Sequence, residues 1–277
     1  MILLADSGST KTTWCMVGLN KSANICITGG INPFQSGLDE MVHLLETEFT
    51  LPRAGISEIW FYGAGCAIPD KNQIVVDALS QYFGVSKIQV NSDLLAAARS
   101  LCGKQPGIVC ILGTGSNSCY YDGQKIAQNG SGLGYVLGDE GSGNALGKKL
   151  LSGILENQLP EEIRNVFFDT YHVTTEEILD NVYRKPFPNR YLAQYARFVS
   201  ANIVYPEMQT LVSNCFRRFF HRNVIQFESA KQLPVHFTGS IAFYFSDILK
   251  KTAGEFGLTT GNISQEPMVG LIEYHIK

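Results

Sequence analysis

Two short segments of this chain carry residue types that hold an anion through backbone N–H groups. Asp6-Ser7-Gly8-Ser9-Thr10-Lys11-Thr12 follows one apolar run, and Gly113-Thr114-Gly115-Ser116-Asn117 follows another. Glycine lets the chain turn sharply and brings N–H groups close to a phosphate, while hydroxyls add donors. Asp6 adds a carboxylate able to hold a hydrated Mg²⁺. Each segment alone is also what an ordinary hairpin turn would carry. Two of them after two apolar strands point to a phosphate chain gripped from both sides. Neither fits the single P-loop spacing, and Gly130-Ser131-Gly132-Leu133-Gly134 has the wrong spacing for a dinucleotide fold.

Acid–base chemistry has one clear candidate. Asp93, in Val90-Asn91-Ser92-Asp93-Leu94, ends a strand and opens a helix, where a carboxylate faces the crevice of an α/β sheet. A plain helix N-cap would use the same residue types. A third glycine-rich segment, Gly134 to Asn144, holds Asp139 and Glu140 just ahead of a helix. Its composition suits a loop that offers a carboxylate and helix N–H groups to a ligand. Glu140 is expected to favour the helix N-terminus, and Asp139 to touch ligand.

Alternating elements must position these groups. Ile2 to Ala5, Thr12 to Val17, Ile25 to Thr28, Glu58 to Tyr62 and Ile88 to Val90 read as strands. Helical patterns start at Ser36, run from Pro69 to Phe83, and run from Leu94 to Leu101. The order then restarts with a strand at Gly107 to Leu112 and a hairpin of Ser118 to Tyr121 with Lys125 to Ala127. An apolar strand, a Gly/Ser/Thr turn and a second strand therefore occur twice, a weak internal repeat. From Ser142 to about Gln232 the pattern is mainly helical, clearest at Asn144 to Leu155 and Leu192 to Phe220. Val235 to Phe237 is a late strand, and Gly239-Ser240 introduces a last long helix. The expected domains are 1–104 and 105–277, the second with a helical insertion and a last helix free to pack back on the first.

Composition narrows the partners. The 277 residues are 45% hydrophobic and 17% charged, with net charge −3, so there is no electrostatic case for nucleic acid or an anionic membrane. No apolar run reaches the ~20 residues of a membrane span. Met1 to Asp6 reads as a first strand rather than a signal peptide, and the protein is expected to be cytoplasmic. Seven cysteines form no C-x-x-C pair, and five scattered histidines offer no zinc site.

In order along the chain, these motifs resemble those of N-acetylglucosamine kinases and of the wider family of ATPases that includes 2-hydroxyacyl-CoA dehydratase activators. The segments that carry the resemblance are Asp6 to Thr12, Asn91-Ser92-Asp93, Gly113 to Asn117, Gly138 to Gly143 and Thr238-Gly239-Ser240. The resemblance implies an α/β protein of two ribonuclease-H-like domains, each with a mixed sheet, and ATP in the cleft between them. It implies phosphate contacts from Gly8, Ser9, Thr10, Lys11, Gly113, Thr114, Gly115 and Ser116, with Asp6 near Mg²⁺. It also implies an adenosine turn at Gly239 and Ser240, sugar contacts from Asn32, Asp93 and Asp139, and Asp93 as the base. Asn32, before Pro33, equally reads as a turn residue. The chain departs from the family pattern at Ser7, often glycine, and at Ser240, where two glycines are usual. The implied activity is ATP-dependent phosphorylation of an amino sugar, N-acetylglucosamine or a close relative, at the 6-hydroxyl. A homodimer is compatible with the resemblance. Two other readings are a dehydratase-activating ATPase, for which Cys110 lies three residues before Gly113, and a non-catalytic sugar or nucleotide sensor.

Overall fold

The computed structural model describes residues 1–8, 10–18 and 23–276. The chain divides into two compact units, residues 1–105 with 123–126 and 266–277, and residues 106–122 with 127–265.

The first unit opens with β1 (Ile2–Ser7), β2 (Lys11–Val17) and β3 (Ala23–Gly29). Helix α1 (Leu38–Glu48), β4 (Glu58–Gly63), α2 (Pro69–Phe83), β5 (Ile88–Ser92) and α3 (Asp93–Cys102) follow. The sheet order is β3-β2-β1-β4-β5; the first pairs are antiparallel and β1-β4-β5 are parallel. β1 is apolar without alternation because both of its faces are covered. Leu3 and Ala5 join Trp14, Phe49 and Phe61 in one core, while Leu4 packs with Tyr62, Ala96 and Leu271 on the other side.

The second unit holds β6 (Gly107–Leu112), β7 (Ser116–Tyr121), β8 (Ile126–Asn129) and the short α4 (Gly134–Leu137). Helices α5 (Gly143–Leu155), α6 (Glu161–Tyr171), α7 (Thr175–Tyr183), α8 (Pro188–Ala193), α9 (Ala196–Ala201) and α10 (Pro206–Phe219) come next. The chain then runs through a π turn into β9 (Val235–Thr238), α11 (Ser240–Tyr244), α12 (Ser246–Glu255) and β10 (Thr260–Ser264). Strand order is β10-β9-β6-β7-β8, again mixed. Helix α13 (Met268–Ile276) belongs to the first unit and packs on α3 and β1.

Two expected helices are corrected. The run from Leu192 to Phe220 is broken at Gln194-Tyr195, between α8 and α9, and again between Asn202 and Tyr205, where Pro206 lacks the N–H needed to continue and starts α10 instead. The single long helix after Gly239-Ser240 is two short helices, a strand and α13. β10 escapes the sequence pattern because Thr-Gly-Asn-Ile-Ser carries little β-propensity; its parallel pairing with β9 supplies the order.

Candidate active site

In the first unit the parallel strands β1, β4 and β5 end together. Asp6 pairs with Tyr62 and Ser7 with Gly63, while Gly63 pairs with Ser92. That register brings the Asp6 end of the first turn beside the start of α3. The turn closes with Gly8 N–H donating to Lys11 O at 2.9 Å. Thr10 is exposed and its carbonyl accepts Gly30 N–H at 3.2 Å. Ser9 lies outside the described residues.

The capping question at Asp93 resolves locally. Ser92 is the N-cap, its Oγ accepting Leu95 N–H at 3.2 Å, so Asp93 occupies the first helical position. Asp93 Oδ1 accepts Leu94 N–H at 2.8 Å. Burial raises the Asp93 carboxyl above the ordinary carboxylate range, against the pull of backbone N–H groups. Burial, then the nearby Asp93 and Glu266, push the Asp6 carboxyl up to about 7, while Lys11 opposes the shift. Two acids that repel each other beside the ends of β1 and β5 are candidates for binding a cation or moving a proton.

Lys11 has a partner that sequence reasoning missed. Its Nζ lies 2.5 Å from Glu266 Oε1, and both side chains are about half exposed. No local pattern links residues so far apart in the chain.

Asn32 is buried, and its Oδ1 accepts Phe34 N–H at 2.9 Å, so the turn role is real. The Gly63-Ala64-Gly65 turn packs against it: a Cβ at Gly65, whose φ is +83°, would lie 2.6 Å from Asn32 Oδ1. Cys66 follows, and Asp93 adds to the burial that pushes its thiol up to about 12. One turn therefore links the surroundings of Asn32 with those of Asp93.

In the second unit, β6 and β7 flank the other turn. Gly143 N–H donates to Gly113 O at 2.8 Å, and Asn144 N–H to Thr114 O at 3.0 Å. With those two carbonyls drawn toward the N-terminus of α5, the N–H groups of Thr114 and Gly115 point the opposite way, because C=O and N–H of a trans peptide are antiparallel. Asp139 Oδ1 accepts Ser116 N–H at 3.1 Å, and its Oδ2 accepts Asn144 Nδ2 at 3.0 Å. Asn144, unassigned in the sequence reading, also donates to Thr114 O from its side chain at 2.8 Å. Ser116 Oγ and Thr238 Oγ1, among the described residues, are buried without a protein partner.

Gly239 adopts a φ of +114°, and a Cβ there would stand 2.3 Å from Leu112 O and 3.2 Å from Gly113 N. The expected adenosine turn thus rests against the turn at Gly113, expected to bind phosphate. Ser240 is exposed at the start of α11. Glu140 does not serve the helix N-terminus as expected. Ser142 caps α5, and Glu140 pairs with Arg222 at 3.1 Å and Arg218 at 3.9 Å, cations stronger than a helix end. Cys110, the residue behind the dehydratase-activator reading, is fully buried in β6.

Two units, each built on a mixed five-stranded sheet with a Gly/Ser/Thr turn after its leading strand, define a two-domain α/β kinase fold of the ribonuclease-H-like type. Comparison with known proteins narrows the class. A candidate N-acetylglucosamine kinase from Porphyromonas gingivalis superposes with a TM-score of 0.96 at 44% identity, over 100% of this chain and 99% of that one. A candidate N-acetylglucosamine kinase from Chromobacterium violaceum gives a TM-score of 0.76 at 20% identity, covering 100% and 98% of the two chains. The N-acetylmuramic acid/N-acetylglucosamine kinase of Clostridium acetobutylicum is 25% identical over 211 residues, 71% of this chain and 68% of that protein. No family model matches the chain. The chain belongs to the N-acetylglucosamine kinase-like family of the sugar-kinase, hexokinase and actin superfamily.

Proposed function

We propose that the protein transfers the γ-phosphoryl group of ATP to a hydroxyl of an amino sugar, N-acetylglucosamine or a close relative, at the 6-position. The observation that carries this reading is the pair Asp6 and Asp93, two carboxyls held above their ordinary range at one strand end, with Ser92 taking the cap. A raised carboxyl is a stronger base, suited to accept a hydroxyl proton late in transfer. The bond that forms joins the sugar oxygen to phosphorus, the bond to the β-phosphate oxygen breaks, and the proton goes to Asp93. Phosphoryl transfer needs positioning and charge neutralisation more than covalent help.

The residues present fit the groups this chemistry requires. Asp6 is the carboxylate for a hydrated Mg²⁺, which would supply positive charge to the phosphates when bound. Gly8, Ser9, Thr10, Lys11, Gly113, Thr114, Gly115 and Ser116 are the phosphate donors of the reading. The partnerless Ser116 hydroxyl is what a phosphate oxygen would satisfy. Gly239 and Ser240 serve the adenosine. Asn32, Asp93 and Asp139 hold sugar hydroxyls, Asp139 with lone pairs left over from Ser116 and Asn144, since a carboxylate accepts about four bonds.

The test is a panel of glucosamine, N-acetylglucosamine, N-acetylmannosamine, N-acetylmuramic acid and glucose, read by sugar-dependent ADP release. Phosphate ester on N-acetylglucosamine at oxygen 6 is expected. ATP consumption that ignores every sugar would end the proposal. The dehydratase-activator alternative gains nothing from Cys110, which is buried in a paired strand rather than offered at a surface.

A further inference from the structure

The segment from Asp6 to Thr12 contains a hydroxyl that phosphate binding leaves unused. Ser7 ends β1 and is fully buried. Burying a hydroxyl is costly unless it is hydrogen-bonded, and this one is bonded on every side. Its Oγ lies 2.7 Å from Thr12 Oγ1, donates to Ile31 O at 3.0 Å and accepts Ile31 N–H at 2.9 Å. Thr12 Oγ1 donates to Gly29 O at 3.0 Å and accepts Ile31 N–H at 3.3 Å. The two hydroxyls share two protons among Ile31 O, Gly29 O and the contact that joins them, and both accept Ile31 N–H, so together they hold the backbone around Gly30.

Ile31 immediately precedes Asn32. Ser7 bonds both the N–H and the C=O of Ile31, so the backbone entering Asn32 is fixed to β1 through one side chain. The Ser7 main chain reaches the other wall: its carbonyl accepts Ala64 N–H at 2.9 Å, in the turn whose Gly65 packs on the Asn32 amide. The Gly8-to-Lys11 turn closes through its own backbone bond; the Ser7–Thr12 hydroxyl contact flanks it, and the two Ser7 contacts to Ile31 lie outside it.

We infer that Ser7 is a positioning residue for Asn32, setting how well the sugar is held while leaving the nucleotide untouched. The inference rests on the sugar-kinase reading for its functional meaning. A glycine at this position would give up the clamp, so chains with serine and with glycine here should differ in sugar affinity.

The test compares wild type with Ser7→Ala by two readouts. Steady-state kinetics with N-acetylglucosamine should show a sugar KM raised about tenfold, as expected for a lost buried hydrogen bond. The KM for ATP should stay within about twofold, an effect too small for a lost contact. Amide exchange by NMR should show Ile31 and Gln35 exchanging faster and Gly8 unchanged, since Gln35 N–H donates to Asn32 O and Gly8 N–H to Lys11 O. Equal losses for sugar and ATP, or unchanged Ile31 exchange, would overturn the inference. Should the wild type phosphorylate no sugar, the kinase reading fails, and Ile31 exchange still decides whether Ser7 holds the Asn32 segment. If Ser7→Ala does not fold, Ser7→Cys, close in shape but a weak donor, carries the same readouts.

Discussion

The Asp139 carboxylate accepts the Ser116 N–H at 3.1 Å, joining two residues that the sequence assigns to different ligands. Ser116 reads as a phosphate donor and Asp139 as a sugar contact, yet the carboxylate holds the shape of the phosphate turn. Asp139→Ala should therefore raise the KM for ATP about tenfold, as well as that for the sugar, by freeing a half-buried N–H. Separate titration of the two substrates checks this. An ATP KM that does not move would mean the bond to Ser116 is dispensable.

Asp93→Asn removes the proposed base and keeps the shape. The side chain can still accept Leu94 N–H through its amide oxygen, and Ser92 still caps α3. Turnover should fall by roughly 10²- to 10⁴-fold, the usual worth of general-base catalysis. Calorimetry should show ATP binding unchanged. Near-wild-type turnover would remove Asp93 from the mechanism.

Local chemistry made part of this site legible. Apolar runs ending in Gly, Ser and Thr marked both turns, because strand and turn residue types differ sharply there; β6 ends where expected, while β1 runs on to Ser7, through two polar residues expected in the turn. The Ser92 cap beside Asp93 follows from residue type alone. Contacts between distant segments left no such trace. Lys11 meets Glu266 across 255 residues of sequence separation, and Ser7 meets Ile31 across 24. Asn144 ends the third glycine-rich segment but reads as an ordinary helix-start residue until Thr114 and Asp139 are brought to it. β10 was lost for the same reason, since its partner strand rather than its composition makes it a strand.

Gly239 sets up a test of the adenosine turn. An alanine Cβ would stand 2.3 Å from the Leu112 carbonyl, a backbone atom that cannot swing aside, and the φ of +114° is itself unfavourable for any side chain. Gly239→Ala should cost about 2 kcal/mol or more of stability, the range for strain at a special backbone conformation. Because Gly113 N lies 3.2 Å from the same Cβ position, surviving protein should also bind ATP more weakly. Urea denaturation and ATP calorimetry check both effects; an unchanged midpoint would refute the close approach.

The raised Asp6 carboxyl gives a pH dependence of definite sign. Its value is about 7 in the folded chain, chiefly from burial, against about 3.9 for a free aspartate. Between these values the folded state holds a proton that the unfolded chain has released. Stability should therefore fall as pH rises from roughly 4 to about 7, then level off. Asp93, also raised by burial, adds a slope of the same sign. Asp6→Asn deletes the Asp6 part, so its advantage over wild type should grow from pH 4 to 7 and stay constant above. Urea midpoints without Mg²⁺ at each pH check this, and curves that stay parallel would refute it. On the proposed function the same variant should lose Mg²⁺-dependent turnover, because the buried negative charge that costs stability at high pH is the charge a cation would require.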